Sequence, residues 1–226
     1  MEAYHVVATH PQIMPGIGDA NSQYDAWDTF SRAITPNMTP SPHVTWSPSE
    51  QDMFDAFGTP DLDAPNPFRV PEGMTARQFG GMLGRMQLKG VVPGVEDLTD
   101  AELGDSFYYS LFPNMHPWAA YNRITYRFRP YGSEPDKCIM DVFMLAPFRG
   151  KRPEPAKTTH IGFDESFLLA HGAVGGLAKV FSQDAYNLPH VQTGLEAAQH
   201  THVIFAEYQE TKLRHFHALL EKCVNA

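Results

Sequence analysis

The alternation of apolar and polar positions changes rhythm twice along this chain. Over residues 13–72 no rhythm lasts. Met14-Pro-Gly-Ile-Gly-Asp, Thr35-Pro-Asn-Met-Thr-Pro-Ser-Pro and Asp61-Leu-Asp-Ala-Pro-Asn-Pro exclude long helices. Aromatic residues recur throughout, so the stretch reads as covering loops and edge strands rather than as disorder. Within it, Tyr24, Trp27, Phe30 and Ile34 fit a helix or a strand, and His43-Val-Thr-Trp-Ser reads as a strand. Thr75 is placed to cap a helix to about Lys89, with Phe79, Met82, Leu83 and Met86 on one face, although Gly80, Gly81 and Gly84 weaken it. Thr99-Asp-Ala-Glu is a capping-box start for a short helix.

A strand rhythm then takes over. Phe107–Phe112, Tyr121–Arg129 and Cys138–Ala146 are β-rich runs divided by turn residues at Pro113-Asn and Tyr131-Gly-Ser. Ile124, Tyr126 and Phe128 alternate with Arg123, Thr125, Arg127 and Arg129, the pattern of a half-buried strand. Three such runs predict an antiparallel meander, with the arginines on its solvated face or at a subunit contact. From Ser166 the period becomes helical. One or two helices are expected from Phe167 to about Thr193, interrupted by Gly172, Gly175, Gly176 and Pro189. The clearest helix runs from Tyr208 to Val224, with Leu213, Phe216, Leu220 and Cys223 as its apolar stripe. Strands followed by long helices define an α+β domain.

With 226 residues the chain forms one domain with its own core. A net charge of −9 argues against a nucleic-acid surface, which needs clustered Lys and Arg. No apolar run is long enough for a membrane span, and the start lacks the layout of a signal peptide. Cys138 and Cys223 belong to no metal or redox spacing, so a reduced cytoplasmic protein is expected.

The chemistry concentrates in Glu2-Ala-Tyr-His-Val-Val-Ala-Thr-His. Two imidazoles and one carboxylate on one face of a metal form the ligand set of non-haem Fe(II) oxygenases. His5 and His10 supply the imidazoles, and Asp184 in Phe181-Ser-Gln-Asp-Ala-Tyr-Asn is the distant carboxylate. On a regular helix His5 and His10 would diverge by roughly 140°, so a widening or break near Ala8–Thr9 is needed to bring them together. Pro11 ends the element directly afterwards, and Glu2 is placed to orient a ligand imidazole. Asp184 follows Leu177, Val180 and Phe181 and precedes Leu188 and Val191, where an unpaired carboxylate is costly to bury. It is either a ligand or a solvated residue at a helix break. Because a His-x4-His pair also arises by chance among eleven histidines, the residues alone leave both readings open.

These segments, with Phe112-Pro-Asn-Met-His-Pro-Trp, Tyr126-Arg-Phe-Arg-Pro, Asp136-Lys-Cys and Gln192-Thr-Gly, resemble the C-terminal catalytic domain of the α subunit of Rieske-type aromatic-ring-hydroxylating oxygenases over nearly the whole chain. The resemblance implies a helix-grip (START-like) fold, a curved antiparallel sheet packed around a long C-terminal helix. It implies one catalytic domain over residues 1–226 with a loop-rich insertion at about 13–90. It also implies mononuclear Fe(II) held by His5, His10 and Asp184, with Glu2 in the place of the acidic residue that bridges the iron to a neighbouring Rieske cluster. Family members usually have Asp at that place. The expected substrates are O2 and an aromatic or other apolar molecule. The electron donor would be a Rieske domain or a ferredoxin and its reductase, and the assembly a homotrimer. The C-x-H and C-x2-H pairs of a Rieske domain are missing, so this chain is expected to bind no [2Fe-2S] cluster and reads as a fragment of a longer α subunit. Phe107, Met144, Leu177, Phe181 and Tyr186 are candidate substrate-pocket residues, each also suited to plain core. His116 and Trp118 are expected to shape the sheet near the cavity. His190, the His200/His202 pair and the His215/His217 pair are given structural readings. The competing function is a START-like domain that holds an apolar ligand without turnover, or an inactive fragment. A zinc hydrolase is disfavoured because no H-E-x-x-H occurs.

Overall fold

The computed structural model describes residues 2–58, 64–118, 124–200 and 202–226, without the side chains of residues 2–4 and 7. The expectations for the Glu2 side chain, for Arg123 and for Asp61–Asp63 therefore lie outside the described residues.

Helix α1 (Glu2–Thr9) leads through a 3-10 turn, Pro11–Gly16, to a hairpin of β1 (Gln23–Ala26) and β2 (Phe30–Thr35). This resolves the Tyr24–Ile34 ambiguity in favour of strand. The alternating burial of β2, whose Ser31, Ala33 and Thr35 are inside, is the period-2 signature. The expected strand at His43 does not form. His43 is committed locally: its N–H donates to Ser41 Oγ at 3.2 Å, and its ring meets both oxygens of the buried Asp19 at 2.7 and 2.8 Å. These bonds hold the segment as a turn.

Helix α2 (Glu50–Gly58) forms within the stretch expected to be loops and edge strands, and α3 (Ala76–Leu88) is the helix expected after Thr75. Thr75 caps α3 as the sequence predicts, and it does so in a complete capping box with Gln78. The α3 glycines have a packing role. A Cβ at Gly81 would strike the Asp100 carboxylate, and one at Gly80 would lie 2.6 Å from Met38 Sδ. The helix thus lets α4 (Asp100–Gly104), capped by Thr99 and Glu102, come close. Met38, Met53, Phe54, Ala76 and Phe79 form a small core of their own beneath α2 and α3.

Strands β3 (Ser106–Leu111), β4 (Met115–Pro117), β5 (Ile124–Tyr131) and β6 (Glu134–Met144) complete a six-stranded antiparallel sheet in the order β1-β2-β3-β4-β5-β6. The short β4 was not expected. His116 pairs with Tyr126, which pairs with Val142, so these three share one face. On the other face Arg127 and Arg129 both reach Asp141, at 2.8 and 2.7 Å, a solvated charge cluster across the strands.

Two short helical turns, Phe167–Ala170 and α5 (His171–Val174), precede α6 (Leu177–Glu196), and α7 (Thr211–Val224) closes the chain. Pro189 does not interrupt α6, in contrast to the expectation. The helix continues to Glu196 because its second half is solvent-facing, where water satisfies the carbonyl that proline leaves unpaired. Only the first half of α6 is inside, with Ala178 and Phe181 at 0 % and 1 % exposure, whereas Leu188 and Val191 are exposed. α7 lies along β1 and β2, and Phe216 packs 5.7 Å from Phe112. The curved sheet with its C-terminal helix is an α+β helix-grip fold.

Candidate metal centre

The end of α1 sets the first part of the site. His10 N bonds Val6 O at 2.9 Å and closes the last turn, but His10 itself (φ −123°, ψ 59°) leaves the helix and starts the next segment. The break falls at His10, directly after the Ala8–Thr9 stretch where a widening or break is expected. It swings the two rings together, with centroids 4.8 Å apart.

α6 sets the second part. Phe181 anchors its buried face against Tyr126 of β5 (ring centroids 5.8 Å) and Phe167 (5.6 Å). Edge contacts of this kind are worth about 0.5–1.5 kcal/mol beyond the area they bury. Asp184 stands one turn further on, on the same side of the helix. Its Oδ1 is 3.0 Å from His5 Nε2 and 3.0 Å from His10 Nε2, and the two nitrogens are 2.9 Å apart. Asp184 is thus not a solvated residue at a helix break.

Three features make this triangle suited to a cation. His10 is 4 % exposed, so its ring is held rather than free. Asp184 Oδ1 is buried and makes no well-directed hydrogen bond despite its two short contacts. Buried carboxylate oxygens are rarely left so. The spacing also fits: for bonds of about 2.0–2.2 Å at right angles, neighbouring ligand atoms stand about 3 Å apart. Among the described residues these three form the His/Cys/Asp/Glu group able to hold a metal. Electrostatics agree with close convergence. Burial disfavours the imidazolium of His10, yet its contacts with Asp184 and Gln183 outweigh this and raise its pKa. Burial works against the Asp184 carboxylate, and its two histidine neighbours outweigh that and lower its pKa.

A layer of amides surrounds the triangle. His10 Nδ1 meets Gln183 Oε1 at 2.9 Å, and Gln12 Nε2 donates to that same oxygen at 2.8 Å. Asn187 Nδ2 donates to Thr9 Oγ1 at 3.1 Å, tying α6 to α1. On the inner side, Tyr126 is flanked by Phe181 and by Trp118, whose ring stacks edge-on with Tyr108 at 4.3 Å. Burial, then the charge of Asp184, push the Tyr126 phenol pKa upward, so the hydroxyl stays protonated beside the triangle. A cleft of about 430 Å³ lies beside α1 and α6, lined by Ala8, Thr9, Leu168, Gln183, Tyr186 and Asn187 among others.

The structure brings the expected pocket residues together only in part. Phe181 lies against the inner wall and Tyr186 lines the cleft. Leu177 starts α6, one turn before Phe181. Met144, opposite Ile124, shares the Tyr126 face of the sheet, whereas Phe107 alternates with Tyr108 and projects to the opposite face. His116 bonds Ser110 Oγ at 3.2 Å and packs on Phe128. His190 stacks on the exposed Tyr186, and Phe205 stacks on His217. Tyr126, Gln12 and Gln183 were not singled out from sequence. The alternation of β5 is the signal that would have found Tyr126. The amides carry no spacing signature.

The model of the ring-hydroxylating α subunit catalytic domain matches residues 1–226, and the chain belongs to that family. Neither the comparison with curated proteins nor the comparison with solved structures gives a match. No helix among the described residues is long and apolar enough to cross a membrane.

Proposed function

We propose that this chain is the mononuclear-iron domain of a ring-hydroxylating oxygenase, acting on an aromatic or other apolar substrate, with His5, His10 and Asp184 as the protein ligands of Fe(II). The observation that carries this is the convergence of two imidazole nitrogens and a buried, otherwise unbonded carboxylate oxygen within 3.0 Å of one another. Two imidazoles and one carboxylate leave the other positions of a six-coordinate ion open, and Fe(II) held there supplies the sites at which O2 is reduced.

The chain's own residues define the surroundings. His10 is held by burial and by Gln183. Trp118, Tyr126 and Phe181 form an apolar wall that keeps bulk water from the inner face and offers ring edges to an aromatic molecule. Tyr126 holds its phenol proton and is a neutral donor on that wall. Phe181, Leu177 and Met144 extend the wall, Tyr186 belongs to the outer cleft, and Phe107 acts as sheet packing.

A [2Fe-2S] donor, either a Rieske domain or a ferredoxin with its reductase, is the partner this reading requires. Glu2 on α1 is the assigned link to it, and a trimeric arrangement would place a neighbour's donor there. The cytoplasm is the compartment that suits this chemistry.

The test is anaerobic Fe(II) titration of the protein beside His5→Ala and Asp184→Ala. Stoichiometric binding that both substitutions abolish supports the reading, and peroxide can then serve as the source of oxygen and electrons in a turnover assay. Binding that is absent, or indifferent to both substitutions, leaves an apolar-ligand-binding domain as the better account.

A further inference from the structure

Gln183 and Gln12 form a paired amide latch behind His10. Gln183 Oε1 faces His10 Nδ1 at 2.9 Å and receives Gln12 Nε2–H at 2.8 Å, while Gln183 Nε2 donates back to Gln12 Oε1 at 3.2 Å. The reciprocal pair couples the two amides, so that neither can reverse without the other. In this arrangement Gln183 Oε1 accepts from Gln12 and faces Nδ1, so the ring nitrogen facing it carries the proton. A neutral His10 so held presents the lone pair of Nε2 to the triangle. If the Gln183 amide were reversed, its NH2 would donate to Nδ1. The proton would then sit on Nε2, pointing at the place a metal must occupy.

The latch also has a placement that no single residue provides. Gln12 follows His10 by two positions, and Gln183 directly precedes Asp184. The two amides therefore join the segments that carry the buried imidazole and the carboxylate. Gln183 lines the outer cleft beside α1 and Gln12 lines a second one beside α2.

We infer that Gln183, braced by Gln12, is a positioning residue of the metal centre: it sets the tautomer and orientation of His10 and keeps α1 and α6 in register. The inference rests on the reading of His5, His10 and Asp184 as ligands. Partners of this kind, when removed, typically cost roughly 10–100-fold in metal affinity.

The experiment is a Co(II) titration of the metal-stripped protein, followed by the visible absorption of the bound ion, for wild type, Gln183→Leu, Gln183→Glu and Gln12→Ala. The expected result is a loss of roughly 10–100-fold in affinity with an altered Co(II) spectrum for Gln183→Leu. Gln183→Glu, which keeps the acceptor, should restore wild-type affinity within a few-fold. Gln12→Ala should fall between. Circular dichroism of the four proteins separates these effects from misfolding. Equal affinity in wild type and Gln183→Leu overturns the latch, as does an equal loss in the leucine and glutamate variants, which would mean packing alone. If wild type itself fails to bind Co(II), it is the ligand assignment that falls.

Discussion

His10 Nε2 and Asp184 Oδ1 meet at 3.0 Å although they come from opposite ends of the chain. That closeness makes metal binding visible as stability. An ion that binds only the folded state at 100 times its dissociation constant adds about 2.7 kcal/mol. For a chain of this size that is a rise in melting midpoint of about 5–10 °C. We expect this rise with Co(II) or Fe(II) in wild type and none in Asp184→Ala or His10→Ala. Differential scanning calorimetry with and without the ion checks it, and an equal rise in the variants would place the ion elsewhere.

Phe181 is 1 % exposed and its ring meets both Tyr126 and Phe167. Phe181→Ala should cost about 3–5 kcal/mol, the range for emptying a buried aromatic site. Because Asp184 lies one turn away, the ion-induced rise in midpoint should also shrink in this variant. Urea unfolding measures the first effect and calorimetry the second. A loss under about 1 kcal/mol would show that α6 is not anchored there.

Gly16 ends the 3-10 turn that begins after His10. A Cβ on it would lie 2.6 Å from the Met53 carbonyl oxygen and 3.2 Å from Ala56 Cβ. Backbone does not yield as a side chain does, so Gly16→Ala should push the turn away from α2 at a cost of about 1–3 kcal/mol. The displaced turn carries Gln12 and follows His10, so Co(II) affinity should drop as well. Unchanged stability in urea would mean that α2 gives way freely.

His116 offers a pH test away from the candidate metal centre. Burial first, and then the nearby Lys212 charge, lower its pKa from 6.5 to about 4. Between these values the unfolded chain binds more protons than the folded one, so stability falls as pH falls. The contribution of the neutral ring is whole above 6.5 and lost by about 4. Replacing it in His116→Gln should flatten the difference between urea midpoints at pH 5 and pH 7.5. A variant with the same pH slope as wild type would exclude His116 as its source.

Several of these elements were legible before any coordinates because their causes are local. Thr75 caps its helix as expected, and Thr99 forms the capping box that Glu102 predicts. The alternation from Ile124 to Phe128 marks its strand. Other elements depend on partners far away. His43 looks like part of a strand until Asp19 claims its ring. Pro189 looks like a stop until half of α6 proves to face water. The spacing of His5 and His10 points their rings apart until the helix ends at His10. The likeness of Asp184 to a metal ligand rested on family resemblance, and its short contacts came only with the fold. Gln12 and Gln183 find each other across almost the entire sequence, and no period connects them.

The positions of the three converging side chains carry a topological consequence. An ion shared by residues 5, 10 and 184 would close residues 10–184 into a ring, with all six strands inside it. Because such an ion binds only the folded state, it leaves the unfolded chain unrestricted, and its stabilisation is set by its concentration relative to its dissociation constant. The ion would then work as a removable buckle. Helix α7 lies beyond the buckle but packs along β1 and β2, so a chelator should speed amide exchange in α7 and in the strands of the sheet together.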